Sequence, residues 1–153
     1  MIKTGGNIVN ITADMWNGMP GMSHSGAARS GMDNLTKTLA YEWGYAGVRV
    51  NSVAPGYIAS SGLDTYDDGI IKEIIPKLKK IVPLKRMGTE AEVSAAVCFL
   101  LSEAAAYING ICIQVDGGSP LGSNFWPLKE TKKHEPFDGF HLSKLPDALD
   151  GKL

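Results

Sequence analysis

The sequence predicts an α/β fold with a parallel sheet, and three observations support that prediction. A long amphipathic helix and a buried strand follow one another in Met22–Gly56, and together they are half of a βαβ unit. Short apolar runs typical of further strands flank this stretch, at Asn7–Thr12 and Ile111–Val115. A second helical pattern begins at Thr89. Strands that alternate with helices in this way indicate a doubly wound sheet.

The long helix is predicted by apolar residues three or four positions apart: Ala28, Met32, Leu35, Leu39 and Trp43. Because they share one face of the helix, we expect that face to be buried. The strand that follows, Val48–Ala54, is β-branched and largely apolar, as in a parallel strand covered on both faces. Pro55 and Gly56 end it.

Two more strands and two more helices complete the predicted order. The first strand follows a glycine pair, and the last ends at an Asp-Gly-Gly turn. Ile70–Val82 has a helical period that Pro76 should kink or split, and this segment is either a lid over a ligand or a plain surface helix. Thr89 and Glu92 form a capping-box pattern at the start of a helix with a structural role.

The chain is long enough for one domain, since a chain of this size buries roughly 70% of its unfolded surface. We place that domain in residues 1–119. Residues 120–153 contain four prolines with interspersed lysines, which predicts an irregular tail. Three aromatic residues could anchor this tail on a partner subunit: Trp126, Phe137 and Phe140.

Charge and hydropathy exclude several functions. A net charge of -1 without clustered basic residues predicts no nucleic-acid partner and no membrane-surface partner, so a small molecule or another protein is expected. No apolar run approaches the ~20 residues of a membrane span. Cys98 and Cys112 lie in apolar contexts typical of free thiols, which favours a reducing, cytoplasmic compartment. The final Gly-Lys-Leu weakly resembles a peroxisomal signal, so a peroxisomal location stays open.

Three stretches resemble the short-chain dehydrogenase/reductase family of NAD(P)-dependent oxidoreductases: AARSGMDNLTKTLAYEWGYAGVRVNSVAPGYI, VPLKRMGTEAEVSAAVCFLLS and ICIQVDGG. The resemblance covers most of the chain and implies the carboxyl-terminal half of a Rossmann-like fold, from its fifth to its seventh strand. The glycine-rich turn that cradles the pyrophosphate in this fold has no counterpart here. We therefore expect either a fragment of a longer protein or a truncated relative.

The segments HSGAARSG and DNLTKTLAYEW are similar to those of the family's branch of trans-2-enoyl-CoA and 2,4-dienoyl-CoA reductases. This resemblance implies NADP as the cofactor, with NAD possible, and an acyl-CoA as the substrate. It also implies a homo-oligomer that forms through the long helix. The loop at residues 13–25 carries Met15, Trp16, Met19 and Met22, which either pack under the loop or form an apolar wall for an acyl chain.

The family's catalytic tyrosine and lysine, four residues apart, match Ser25 and Arg29. Serine donates a hydrogen bond but is a poor general acid, and arginine keeps the charge that holds the nicotinamide ribose. The family serine that binds the substrate oxygen matches Thr12, or Ala13 if the loop is displaced by one residue. The resemblance thus implies Thr12, Ser25 and Arg29 as the catalytic residues, without the tyrosine acid.

The segment after the buried strand matches the part of the family that meets the nicotinamide carboxamide. It adds Pro55, Gly56, Ile58 and Ser60 to Arg29 as the implied cofactor-binding residues. No cluster of His, Cys, Asp and Glu has metal-ligand spacing, so no metal is expected.

Three other polar features near the predicted site leave alternatives open. Asp14 is either a proton relay or a cap of the loop backbone, and His24 is either a catalyst or a hydrogen-bond partner in the loop. Asp33 and Lys37 are spaced as an exposed ion pair along the helix.

Reduction of an enoyl thioester suits this set of residues, because donors to the thioester oxygen can stabilise an enolate while the proton arrives through water. Carbonyl reduction needs a proton on the oxygen itself, which the missing tyrosine would supply. The leading hypothesis is an NAD(P)-dependent enoyl-CoA-type reductase. The alternatives are a carbonyl or alcohol oxidoreductase, and a catalytically silent binding or assembly partner.

Overall fold

The structure is a computed structural model and describes residues 3–65, 68–121 and 137. Its helices are α1 (Ser23–Trp43), α2 (Asp68–Ile81) and α3 (Glu90–Leu101), with 3-10 turns at Gly44–Ala46, Ser61–Thr65 and Glu103–Ala105. Its strands are β1 (Gly6–Ile11), β2 (Val48–Pro55), β3 (Ile58–Ala59), β4 (Gly88–Thr89) and β5 (Cys112–Val115). Within the described chain, no helix is both long and apolar enough to cross a bilayer.

The chain divides into two compact units. The first is formed by Met1–Pro55 and Ser94–Gln114, and the second by Gly56–Val93 and Val115–Leu153. The predicted boundary at residue 120 stays a prediction, because Pro120, Leu121 and Phe137 are the described residues beyond it. Trp126 and Phe140, expected as anchors of the tail, lie outside the described residues.

The first unit is built around β2, the middle strand of a three-stranded sheet with the order β1-β2-β5. β1 and β2 are parallel, from the pair of Gly6 with Val48 to the pair of Ile11 with Val53. β2 is buried along nearly its whole length, which confirms the strand covered on both faces. Val48 and Val50 of β2 pack on Ala40 of α1. Partly buried apolar residues surround this core: Ile8, Leu39, Trp43 and Ala46.

α1 is a long helix, as predicted, but the predicted buried face is wrong in part. Leu35 is 44% exposed, and Ala28 is exposed as well. The fully buried residues of the helix are instead Asp33, Thr36 and Ala40. This offset has a polar cause, because the Thr36 hydroxyl accepts a hydrogen bond from Asn10 Nδ2 at 2.9 Å and donates to the Met32 carbonyl at 2.8 Å. A satisfied hydroxyl can be buried at little cost.

β5 is less buried than predicted. Its residues are half-buried or exposed, and Ile111, expected to begin the strand, is 46% exposed and precedes it. β5 lies at the edge of the sheet, where one side of a strand has no neighbouring strand. The Asp-Gly-Gly turn that closes it is confirmed, since Gly118 N–H donates to Asp116 Oδ1 at 2.8 Å.

The second unit pairs β3 with β4 in parallel and packs α2 on this small ladder. Its core contains Ala59, Ile75, Leu78 and Met87, with Leu63 packed against it. α2 continues through Pro76, so of the two expected effects of this proline, a kink or a split, the split is wrong and the kink stays a prediction. Ile75 and Leu78 are buried on either side of the proline, and their packing offsets the hydrogen bond that proline removes.

The start of α3 confirms the capping box. Thr89 N–H donates to Glu92 Oε2 at 2.9 Å, and Glu92 N–H donates to the Thr89 hydroxyl at 3.3 Å. Two of the four backbone donors that a helix start leaves unpaired are satisfied in this way.

Candidate active site

Arg29 lies at the carboxyl end of β1. Its Nη1 donates to the carbonyl of Ile11, the last residue of that strand, at 3.0 Å. Ser25 is four residues earlier on α1, so the two side chains lie on the same face one turn apart. Arg29 is exposed and Ser25 is half-buried. The predicted pair therefore stands where ligands bind in parallel α/β sheets, at the carboxyl ends of the strands.

Thr12 directly follows Ile11, whose carbonyl binds Arg29, but the Thr12 hydroxyl points inward. It is 3% exposed and donates to the Val53 carbonyl at 3.2 Å, with Cys112 Sγ at 3.9 Å. The backbone N–H of Thr12 donates to the same carbonyl at 2.8 Å. The neighbouring thiol was not anticipated, because the apolar context of Cys112 gives no signal of a polar contact across the sheet.

The loop between β1 and α1 is tied down at several points. Asp14 N–H donates to the Pro55 carbonyl at 2.9 Å, which joins this loop to the end of β2. The Ser30 hydroxyl donates to Met15 Sδ at 3.4 Å, and Met19 packs close to Gly26. These two methionines thus pack on α1, whereas Trp16 and Met22 are 41% and 47% exposed. The packing of Met15 and Met19 favours the first alternative for these two residues, and the acyl-chain wall stays a prediction for Trp16 and Met22.

Asp33 and Lys37 form the expected ion pair at 2.6 Å, but Asp33 is buried rather than exposed. The hydrogen bond from Lys37 to Asp33 and the attraction between their charges raise the pKa of Lys37. In the described chain the second carboxylate oxygen of Asp33 has no hydrogen-bond partner. The pair joins a buried carboxylate to a lysine whose side chain is exposed.

The second unit contains the other part of the predicted cofactor segment. Gly56 N–H donates to the Val115 carbonyl at 3.0 Å, and a side chain at Gly56 would stand 2.7 Å from Asp116 Cα. Ile58 pairs with Gly88 in the ladder, and the Ser60 carbonyl accepts from Leu63 N–H at 3.0 Å. Each residue of the segment thus has a defined backbone position inside this unit.

A cavity of about 830 Å³ lies at the other end of the sheet in the first unit. Residues at the amino ends of β1 and β2 line it, with Arg49, Glu103 and Tyr107. The guanidinium of Arg49 donates hydrogen bonds to the carbonyls of Leu100, Ser102 and Ile108, at 2.9, 3.1 and 3.2 Å. None of the predicted site residues borders this cavity.

Among the described residues, no three His, Cys, Asp or Glu side chains come together in a way that could hold a metal ion. At the carboxyl end of β1, the Ser25 hydroxyl is half-buried and the Arg29 guanidinium is exposed, whereas the Thr12 hydroxyl is bonded to the Val53 carbonyl. Arginine has five N–H donors, so the bond to Ile11 leaves others for a ligand.

Comparison with known proteins gives consistent matches. The family described as enoyl-(acyl carrier protein) reductase matches residues 1–119. A probable 2,4-dienoyl-CoA reductase of Bacillus subtilis is 42% identical over 122 residues, which is 78% of this chain and 47% of that protein. A solved citronellol catabolism dehydrogenase of Pseudomonas aeruginosa is 56% identical, with a TM-score of 0.66, over 79% of this chain and 45% of that one.

A third match carries a cofactor. The structure of a putative 2-deoxy-d-gluconate 3-dehydrogenase of Agrobacterium tumefaciens with bound NADP is 36% identical, with a TM-score of 0.66. The match covers 76% of this chain and 47% of that one. The chain thus spans less than half the length of each of these three proteins.

Proposed function

The chain belongs to the short-chain dehydrogenase/reductase family, and from that premise we propose that it is the nicotinamide-side half of an NAD(P)-dependent oxidoreductase. We further propose that NADP is the cofactor and that the substrate is an acyl-CoA thioester of the enoyl type. The observation that carries the proposal is the position of Arg29, whose guanidinium is fixed at the carboxyl end of β1 with Ser25 one turn away.

Each unit offers features that a nicotinamide nucleotide would use. Arg29 is exposed and keeps donors for the two ribose hydroxyls. Gly56 lets the chain turn closely past Asp116, and Pro55, Gly56, Ile58 and Ser60 would meet the carboxamide end. When bound, the cofactor supplies a hydride.

The substrate oxygen needs hydrogen-bond donors, because negative charge develops on it when hydride reaches the conjugated carbon. Ser25 would donate one hydrogen bond directly. Thr12 would donate a second after its hydroxyl turns from the Val53 carbonyl to the thioester oxygen, an exchange of one acceptor for another. Neither residue is a general acid near neutral pH, so water would deliver the proton to carbon.

The exposed apolar residues of the first loop favour an acyl substrate. Trp16 and Met22 present apolar surface beside the start of α1, and a flexible methionine adapts to a chain of methylene groups. The substrates named for the Bacillus subtilis relative belong to the same chemical class.

A homo-oligomer that forms through α1 is part of the proposal, since Leu35 and Tyr41 leave apolar surface exposed on that helix. The free thiols of Cys98 and Cys112 support a reducing compartment such as the cytoplasm.

The inward hydroxyl of Thr12 favours one second candidate function, that of a catalytically silent relative that binds or assembles with a complete enzyme.

A chimera tests the activity. Residues 1–119 would replace the aligned segment of the Bacillus subtilis relative, which then supplies the rest of the cofactor site. We expect NADPH oxidation with a 2,4-dienoyl-CoA or a 2-enoyl-CoA substrate and little with a 3-ketoacyl-CoA. Thr12→Val should lower turnover on the order of a hundredfold, since one donor to the developing oxyanion is lost.

Thr12→Ser is the matched control, because it keeps the hydroxyl and should keep most of the activity. Oxidation confined to the ketone substrate, with Thr12→Val harmless, would refute the assignment of both substrate and donors. A folded chimera that binds NADPH and reduces none of these substrates would favour the silent relative.

A further inference from the structure

Glu92 connects three segments of the second unit. Arg86 binds both of its carboxylate oxygens, at 2.7 and 2.9 Å, and Thr89 N–H donates to Oε2. Phe137 N–H from the carboxyl-terminal segment donates to Oε1 at 3.3 Å. The capping box explains the bond from Thr89 alone, so the other contacts give Glu92 a further role.

The backbone of Phe137 is held on both sides. Its N–H binds Glu92, and its carbonyl accepts a hydrogen bond of 2.6 Å from the Thr89 hydroxyl. The side chain of Phe137 is 43% exposed, so its backbone supplies the two polar contacts. A pair of backbone bonds at one residue fixes both the position and the direction of a chain.

The electrostatics agree with this arrangement. Burial raises the pKa of Glu92, but the hydrogen bonds from Arg86, Thr89 and Phe137 outweigh it and hold the pKa below its ordinary value. The carboxylate is therefore charged at neutral pH and is a strong acceptor for the Phe137 N–H.

The same residues support the segment proposed to meet the cofactor. Thr89 is paired with Ala59 in the ladder of β3 and β4, and Gly88 N–H donates to the Tyr57 carbonyl at 2.9 Å. This ladder has two residues in each strand, so it contributes little stability of its own. Anything that holds Thr89 also holds the adjoining strand that carries Ile58.

We propose that Thr89 and Glu92 form a docking site for the backbone of Phe137 of the same chain, and that this docking positions Ile58 and Ser60 of the cofactor segment. Thr89 and Glu92 are positioning residues, because they act through the ladder and not on the cofactor. The second part of the inference rests on the proposed function, since it assigns Ile58 and Ser60 to the nicotinamide end.

Phe137→Pro tests the docking in the 153-residue chain, because proline removes the N–H that binds Glu92 and leaves the capping box intact. Phe137→Ala is the matched control, since it keeps both backbone bonds. We expect hydrogen exchange at Gly88 N–H to rise about tenfold in Phe137→Pro relative to Phe137→Ala, because one hydrogen bond to a charged acceptor is lost. Thr89→Val should have a larger effect, because it removes the capping bond from Glu92 N–H as well as the bond to the Phe137 carbonyl, and Thr89→Ser should restore protection.

NADPH titration of the same variants by NMR separates the two proposals. In the parent we expect NADPH to shift the amide signals of Ile58 and Ser60, and the affinity should fall several-fold in Phe137→Pro. Equal exchange at Gly88 in Phe137→Pro and Phe137→Ala would overturn the docking. Increased exchange with no NADPH response even in the parent would support the docking and overturn its link to the cofactor, together with the proposed function.

Discussion

Gly56→Ala should destabilise the chain, because the space at Gly56 is already occupied. A Cβ there would lie 2.7 Å from Asp116 Cα and 2.8 Å from Asp116 Cβ. Ordinary contact begins at 3.4 Å, so Asp116 would have to retreat by about 0.7 Å. Its turn resists that movement through the bonds to Gly118 and Ser119 and the adjacent bond from Gly56 to Val115. The colliding atoms are backbone and Cβ, which no rotamer change can move away.

Overpacking of this kind costs about 1–3 kcal/mol. With a urea dependence of about 1–3 kcal/mol per molar, the unfolding midpoint should fall by roughly 1 M. Circular dichroism across a urea series measures that midpoint. Gly31→Ala is the control, because Gly31 lies inside α1 with nothing within 4 Å of the added Cβ, and alanine there should stabilise the chain by about 0.5–1 kcal/mol. An unchanged midpoint for Gly56→Ala, with the expected rise for Gly31→Ala, would refute the close approach of Gly56 to Asp116.

Four other predictions concern the site, its support and the sheet edge. In the chimera, Arg29→Lys should raise KM for NADPH with little change in kcat, since the two-pronged contact to the ribose is lost while the charge remains. Ser25→Tyr should raise reduction of a 3-ketoacyl-CoA by restoring a phenolic acid, which steady-state NADPH oxidation measures. The pKa of Glu92 is lowered in the folded chain, so its stabilising effect should be fully present above the ordinary value of 4.5 and be lost as pH falls through the folded pKa. A falling protection factor of the Phe137 N–H, which allows for the slower intrinsic exchange in acid, would measure that loss. β1 is an edge strand with Ile11 44% exposed, so the chain should self-associate with rising concentration in sedimentation experiments, and a monomer throughout would contradict this.

The strands and helices could be predicted because their signals are local. The run from Val48 to Ala54 is apolar enough to require cover on both faces, and the structure confirms it. Thr89 and Glu92 stand at the spacing that a capping box needs, and both of its bonds are present. These features depend on neighbours within a few residues, which the sequence shows directly.

The errors arise where tertiary contacts outweigh local preference. Thr36 is buried on α1 because Asn10 of β1 donates a hydrogen bond to its hydroxyl. No periodicity of apolar residues reveals that contact. Pro76 stays inside α2 because Ile75 and Leu78 are packed on either side of it. Long-range pairing of this kind is absent from a single sequence.

The candidate site was also predictable only in its local features. The four-residue spacing of Ser25 and Arg29 placed both residues correctly on one face at the start of a helix. The bond from Arg29 to Ile11 and the inward turn of the Thr12 hydroxyl depend on how α1 and β2 lie against β1. The docking of Phe137 on Glu92 joins residues 45 positions apart and had no local signal.

The set of NMR signals that NADPH perturbs in the 153-residue chain tests the proposed cofactor site most directly. We predict shifts at the Arg29 side chain and at the amides of Ile58 and Ser60. The Kd should be weaker than roughly 1 mM, or about -4 kcal/mol, because the proposed site contains only part of the dinucleotide contacts. Perturbations confined to the cavity lined by Arg49 and Tyr107, or micromolar binding at any site, would contradict the proposed site.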